Sequence, residues 1–180
     1  MAANRLVRAA GCTVLVTAAL LAGCAPKKAP PPPVVAAPPV ARPAALDPES
    51  YMAFSASSAL FAVRASRMAE ARGSTNKIKK FASQVVMDQT GIGAQLSFAG
   101  RRIDLLPSSR PLAEHQAMLE RLATSSDFDA TYKGQLSRVL RDAAVVHRAF
   151  EAGGESPTLR PVAQFAAPVC EKNLAALQKL

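Results

Sequence analysis

Residues 47–180 predict an all-α protein: a bundle of four long helices with a short extra helix in a crossover connection. Three observations carry this. Apolar residues recur every three or four positions through five stretches, the spacing that gathers them on one helix face. Helix-starting and helix-stopping residues divide those stretches, and no segment alternates polar and apolar residues as a half-buried strand would. All nine aromatic residues, from Tyr51 to Phe165, fall in this region. The core therefore begins near Asp47.

Asp47-Pro48-Glu49 starts the first helix: a capping oxygen, a proline at the first turn and an acid at the positive end of the dipole. Phe54, Ser58, Phe61, Ala65 and Met68 then follow one face up to a stop at Gly73. Ser74 or Thr75 opens a second helix, with Ile78, Phe81, Val85, Gln89, Ile92, Leu96 and Ala99 on its stripe. Gly91 and Gly93 weaken it by about 1 kcal/mol each relative to alanine and mark a bend or a close helix approach. Leu105 to Pro111 reads as a proline-bounded loop, and Pro111 starts a short helix carrying Leu112, His115, Leu119 and Leu122.

Ser126 caps a long helix with the cleanest period in the chain, Phe128, Tyr132, Leu136, Val139, Ala143, Val146 and Phe150, ending at Gly153-Gly154. Ser156-Pro157 caps the last helix, with Leu159, Val162, Ala166, Cys170, Asn173 and Leu177 facing inward. Pro161 is expected to strain its first turn and Pro168 to kink or split it. The connection bearing the short helix is long enough to run the length of the bundle, which sets the second and fourth helices parallel.

The segment before Asp47 is of another kind. Arg5 and Arg8 precede an apolar run, Ala9 to Ala22, too short for the ~20 residues of a membrane span and suited to a secretory signal. It closes in Leu21-Ala22-Gly23-Cys24, which resembles the lipobox of bacterial lipoproteins. That resemblance implies cleavage between Gly23 and Cys24, with the Cys24 sulfur and new amine acylated. Ala25 after the cysteine favours the outer membrane. Residues 24–46 hold the lipidated cysteine and a proline- and alanine-rich tether, APKKAPPPPVVAAPPVARPAA, expected to be disordered or extended with a reach of roughly 60 Å. Lys27, Lys28 and Arg42 are read chiefly as part of a solvated spacer, with contact to anionic headgroups or cell-wall polymer as the alternative. The domains are therefore 1–23, 24–46 and 47–180.

The whole chain has a formal charge of +9, which alone suggests a nucleic-acid binder. Its distribution removes that reading. Five cations lie before Asp47, and the bundle holds 17 basic against 13 acidic residues. No nucleic-acid partner is expected. Lys77, Lys79, Lys80 and Arg101-Arg102 bracket the second helix, either as a solvated face or, more sharply, as a patch for anionic lipid or cell-wall polymer. Cys12 leaves with the signal and Cys24 is consumed by acylation. Cys170 then stands alone, and the mature chain has no intramolecular disulfide. It reads as a small buried hydrophobe, with a reactive or intermolecular thiol as the alternative.

IKKFASQVVMDQT, LAEHQAMLERL, FDATY and SPTLRPVAQFAAPVCEKNL together resemble the family called domain of unknown function 4142. The resemblance covers roughly Pro48 to Leu180 and implies a ferritin-like four-helix fold in a bacterial envelope protein. Members often carry metal-ligating residues on four helices. Aligned without gaps, those positions here are Ala62, Gln89, Leu140 and Asn173. Asp88 is retained. No Glu is followed three residues later by His, the pairing that a two-metal carboxylate bundle requires. Gln89 and Asn173 either hydrogen-bond across the core or face water. Asp88, Gln89, His147 and Asn173 form a candidate core polar network.

His147 lies at the shoulder of the fourth helix's stripe, and His115 packs the short helix against the bundle. Neither has a Cys or Ser at local nucleophile spacing, and GxSxG, HExxH, CxxC and phosphate-loop motifs are absent from the sequence. No catalytic residue, metal site or cofactor is expected. The function predicted is a membrane-anchored periplasmic lipoprotein of the outer membrane with a non-catalytic interaction or structural domain. Its partners are the membrane, through its N-terminal lipid, and an envelope protein or the cell wall. The alternative is a ferritin-like metal-binding or metal-dependent envelope stress protein.

Overall fold

The computed structural model describes residues 47–180. The predicted signal, the Gly23–Cys24 cleavage site and the tether all lie outside the described residues. Five helices and no strand occur among them: α1 (Pro48–Arg72), α2 (Asn76–Arg101), α3 (Ala113–Thr124), α4 (Phe128–Gly153) and α5 (Arg160–Leu177). The protein is an all-α bundle. α1 packs between α2 and α4, and α5 closes the ring by packing on α4 and α2. The short α3 lies against α1 and α4.

Contacts along the helices give their directions. Tyr132 near the start of α4 meets Ser66 near the end of α1, while His147 meets Tyr51. α4 therefore runs antiparallel to α1, and so parallel to α2. Ser57 meets His115, and Arg72 meets Leu122 and Ala123, so α3 runs beside α1 in the same direction. This is the predicted crossover: α3 carries the chain back along the bundle before α4 begins.

α1 starts as predicted. The Asp47 carboxylate accepts from the backbone N–H of Glu49 and of Ser50, at 3.1 and 2.9 Å, and its bonds with Ser50 chiefly hold its pKa below the usual value. The helix's burial, however, exceeds one stripe. Every residue from Phe54 to Ala59 is buried, as are Tyr51, Met52, Phe61, Ala62, Ala65, Ser66 and Ala69. Small Ala and Ser side chains let α2, α3 and α4 approach this helix from several sides at once. At its end, Arg72 donates to the carbonyls of Leu122, Ala123 and Ser125 at the end of α3, where helix carbonyls run out of intrahelical donors. Its guanidinium also lies 4.4 Å from the centre of the Phe128 ring. One side chain thus joins α1, α3 and the start of α4.

Several helix boundaries differ from expectation. Thr75 caps α2, its hydroxyl accepting from Ile78 N–H at 3.2 Å. Asp127, not Ser126, caps α4, accepting from Ala130 N–H at 3.2 Å. α3 begins at Ala113, two residues after Pro111, because Leu112 N–H is held by Ser57 Oγ at 2.7 Å. Ser156 does not cap α5 directly. Its Oγ and carbonyl accept from Leu159 N–H, and the carbonyl also takes Arg160 N–H, forming a turn ahead of the helix. Pro161 consequently lies in the opening residues of α5, where no intrahelical N–H bond is required and its fixed φ is suited to the helix. α5 continues through Pro168 as one helix. Pro168 is on the exposed side, as is Gln164, whose carbonyl loses a donor.

The glycines separate into two kinds. A Cβ at Gly100 would lie 2.2 Å from the Leu105 carbonyl oxygen, because the chain turns back there, with Ile103 and Leu105 N–H both bonding Gly100 O. Asp104, with φ of 54°, supplies the left-handed residue of that turn, a conformation Asp tolerates better than most. A Cβ at Gly91 or Gly93 would meet nothing within 4 Å, so no close approach within the bundle explains them. Gly91→Ala and Gly93→Ala are each expected to stabilise the protein by about 0.5–1 kcal/mol, and Gly100→Ala to destabilise it by more than about 1 kcal/mol. Urea unfolding of the three variants, followed by circular dichroism, checks this.

Candidate functional site

Among the described residues, the polar groups inside the bundle are the candidates for internal chemistry, and α1 places most of them. Tyr51 is fully buried, stacked on Phe150 at 3.8 Å between ring centres. Its hydroxyl shares a 3.0 Å hydrogen bond with Nδ1 of His147. His147 is 1% exposed, so it sits inside the core and not at the shoulder of the stripe. With no charged partner to offset the loss of water, burial lowers its pKa to about 4, and it is neutral at pH 7. Burial also raises the Tyr51 hydroxyl above its ordinary range, with the nearby Cys170 sulfur contributing.

A second pair joins α2 to α5. Gln89 Nε2 donates to Cys170 Sγ at 3.8 Å, a weak bond to a poor acceptor. Burial pushes the Cys170 thiol up to about 11. A protonated, buried thiol is a poor nucleophile, and the reading of Cys170 as a small core side chain agrees with this. Asn173 is buried one turn further along α5, with Nδ2 unpaired, and Ser55 Oγ is also buried without a partner. Gln89 and Asn173 both face the core, so the alternative in which they face water is overturned.

The four residues singled out as a core polar network do not form one. No hydrogen bond among the described residues joins Asp88, Gln89, His147 and Asn173 to each other. Asp88 is only partly buried: Oδ1 accepts from Gln84 Nε2 at 2.8 Å, and Oδ2 lies 4.0 Å from Lys172 Nζ. It occupies the outer edge of the α2–α5 seam. Helical periodicity located each residue on its own helix, but the choice of partner depended on residues that periodicity marks only as core, Tyr51 above all.

His115 and Ser57 are not paired by sequence spacing, being 58 positions apart, yet Ser57 Oγ lies 2.6 Å from His115 Nδ1. The pair has the composition of a nucleophile and base. Its surroundings are those of a latch. Ser57 Oγ also accepts the Leu112 N–H at 2.7 Å, both side chains are buried, and Phe54 and Phe61 flank the imidazole. Burial lowers the His115 pKa, outweighing the opposing effect of Glu114. A similar tie, Ser66 to Tyr132 at 2.9 Å, links α1 to α4.

Of the four positions expected from the family resemblance to match metal ligands, Ala62 and Leu140 supply no donor atom, and Gln89 and Asn173 supply neutral amides. This set does not fit a di-metal carboxylate centre, which needs anionic oxygens and imidazoles converging from facing helices. Among the described residues, no group of three or more His, Cys, Asp or Glu side chains is placed to hold a metal ion. A surface cleft of about 460 Å³ runs between α1, α2 and the loop after α2, lined by Leu60, Val63, Gly93 and Pro107 with Gln89 and Thr90. It contains no charged side chain. No described helix is long and apolar enough to cross a membrane.

A sequence model of the family described as domain of unknown function (DUF4142) matches residues 33–180. No curated protein and no solved structure matches the chain.

The two buried imidazoles make stability depend on pH. Their folded pKa values lie below the ordinary 6.5, so the unfolded chain binds more protons as pH falls. Their stabilisation is complete above 6.5 and is lost downward from there, levelling for His147 near pH 4. The full loss from His147 is about 3 kcal/mol, at about 1.36 kcal/mol per pH unit. Urea unfolding at about pH 7.5 and pH 5 is expected to show falling stability, and His147→Leu a shallower fall. An unchanged slope in His147→Leu would show that the imidazole is not held neutral.

Proposed function

The chain belongs to the DUF4142 family, and from that premise we propose that it is a membrane-anchored envelope lipoprotein. Its helical bundle serves as a non-catalytic interaction or structural domain. The observation that carries the anchor is the sequence Leu21-Ala22-Gly23-Cys24 at the end of a short apolar run behind Arg5 and Arg8. Two acyl-bearing groups on one residue give stable membrane attachment where a single chain gives only marginal attachment. Ala25 supports the outer membrane as the destination, with the bundle in the periplasm. The proline-rich segment supplies distance between lipid and bundle.

The interior supports the non-catalytic part of the reading. Its histidines are neutral and bonded to Tyr51 and Ser57, its thiol is protonated, and its aligned metal positions lack the donors that metal chemistry requires. A domain of this kind works through its outer surface. Its partner would be an envelope protein, the cell wall or the membrane itself.

Cys24→Ser is expected to abolish fatty-acid labelling and release the protein from the membrane fraction. Continued labelling and membrane retention of that variant would overturn the anchor. In the wild-type protein purified without chelators, elemental analysis is expected to find no stoichiometric transition metal. A stoichiometric metal that disappears in His147→Ala would favour the metal-binding alternative.

A further inference from the structure

The outer face of α2 takes no part in the core, yet it is neither uniformly polar nor neutral. Ile78, Val85, Gln89, Ile92 and Leu96 point inward. At about 100° per residue, Lys80, Met87, Ala94 and Phe98 fall within about 30° of the opposite direction. Met87 is 61% exposed and Phe98 58%. Exposed cations stand at both ends of this face, Lys80 at one and Arg101 and Arg102 at the other. Asp88 is the only acid on the helix and is already matched by Gln84 and Lys172.

α5 extends the surface. Pro157, Pro161 and Val162 line a cleft of about 400 Å³ together with Phe98 and Arg102, and Phe165, one turn beyond Pro161, is 46% exposed. Of the five large hydrophobic side chains exposed among the described residues, Met87 and Phe98 are on the outer face of α2 and Phe165 is on α5 one turn from the cleft that Phe98 shares with Pro161. Such clustering marks an interaction site, whereas single exposed hydrophobics do not.

The cations carry a second signal. Lys77, Lys79 and Lys80 occupy the start of α2, where the helix dipole disfavours positive charge, and no acid balances them in the first turn. Lys79 and Lys80 form no ion pair among the described residues. Lys77 donates to the Lys179 carbonyl, but Lys79 and Lys80 cost helix stability with no ion pair in the bundle to offset it, which points to an external anionic partner.

We propose that the α2–α5 face lies on an anionic phospholipid bilayer. Met87, Phe98 and Phe165 enter the headgroup region, while Lys80, Arg101 and Arg102 meet the lipid phosphates. An apolar centre flanked by cations is the chemistry of interfacial membrane binding. The proposal rests on the lipid-anchor reading, which keeps the domain within reach of such a surface. The N-terminal segment joins the bundle at Asp47, beside the Arg101–Arg102 end of α2, as the proximity of Met52 to Gly100 requires. The bundle then rests against the membrane instead of standing off at the full length of the leash.

The chain contains no tryptophan, so Phe98→Trp introduces a single indole emitter at the centre of the face. The full lipidated protein carrying F98W is reconstituted into phosphatidylcholine vesicles with and without phosphatidylglycerol. The indole emission should be quenched by spin-labelled acyl chains in the anionic vesicles and remain open to aqueous quenchers in the zwitterionic ones. High salt should reverse the difference. Adding Lys80→Gln, Arg101→Gln and Arg102→Gln should weaken docking about fivefold per cation, roughly a hundredfold together. Val145→Trp, on the outer side of α4 and 51% exposed, should stay water-accessible in both vesicles.

Mass spectrometry of Cys24 separates the two readings. If Cys24 is acylated and the F98W indole remains water-accessible on anionic vesicles, docking is wrong and the anchor stands. If Cys24 carries no lipid, the anchor reading fails and docking loses its premise. Shielding of the F98W indole from water without quenching by lipid would mark a protein partner or a second copy and would also overturn the proposal.

Discussion

The structure depends on how tightly α1 is enclosed. A helix covered by α2, α3 and α4 cannot carry bulky residues all round, and α1 answers with Ala56, Ala59, Ala62, Ala65 and Ala69 between its anchors Tyr51, Phe54 and Phe61. Small residues allow close helix approach, but the serines among them bring hydroxyls into an apolar interior. Each buried hydroxyl costs free energy unless bonded. Ser57 meets His115 and Leu112, Ser58 bonds back to the Phe54 carbonyl, and Ser66 meets Tyr132. The bonds to other helices fix how α3 and α4 slide along α1, so packing and register are specified by the same residues.

That enclosure also shapes function. The Tyr51–His147 pair and the Ser57–His115 pair are sealed by aromatic rings, and burial keeps the imidazoles neutral and the Cys170 thiol protonated. Groups that would be reactive in an open cleft become internal ties. The outer faces that no helix covers are left with groups the core does not use. α2 is the extreme case, with one side wholly given to the core and the other presenting Met87 and Phe98 between clusters of cations.

Where side-chain period alone decides, sequence and structure agree closely. The stripes on α2 and α4, from Ile78 to Ala99 and from Phe128 to Phe150, are buried at every predicted position. They agree less where a tertiary contact competes with a local signal. Leu112 gives its N–H to Ser57, which delays α3. Asp127 supplants Ser126 as a cap because its carboxylate reaches Ala130 N–H. The turn built on Ser156 moves Pro161 to the helix start, where it is harmless. The extra burial of α1 was illegible for a related reason: Ala and Ser are neutral in any count of apolar periodicity, and only their neighbours reveal which of them are inside.

The helical character of the region after Asp47, the places of its four long helices and short crossover, and the concentration of excess cations before it are all written in the chain. Those properties follow from periodicity, capping chemistry and charge, which act within a few residues of one another. Other properties arise only once the helices pack. His147 bonds Tyr51 and not Asn173, Ser57 and His115 meet across 58 positions, and Pro161 joins Phe98 in one cleft. Partner choice between buried polar groups depends on the rotation and register of whole helices. Those are set by the summed packing of the bundle, which no local stretch of sequence contains.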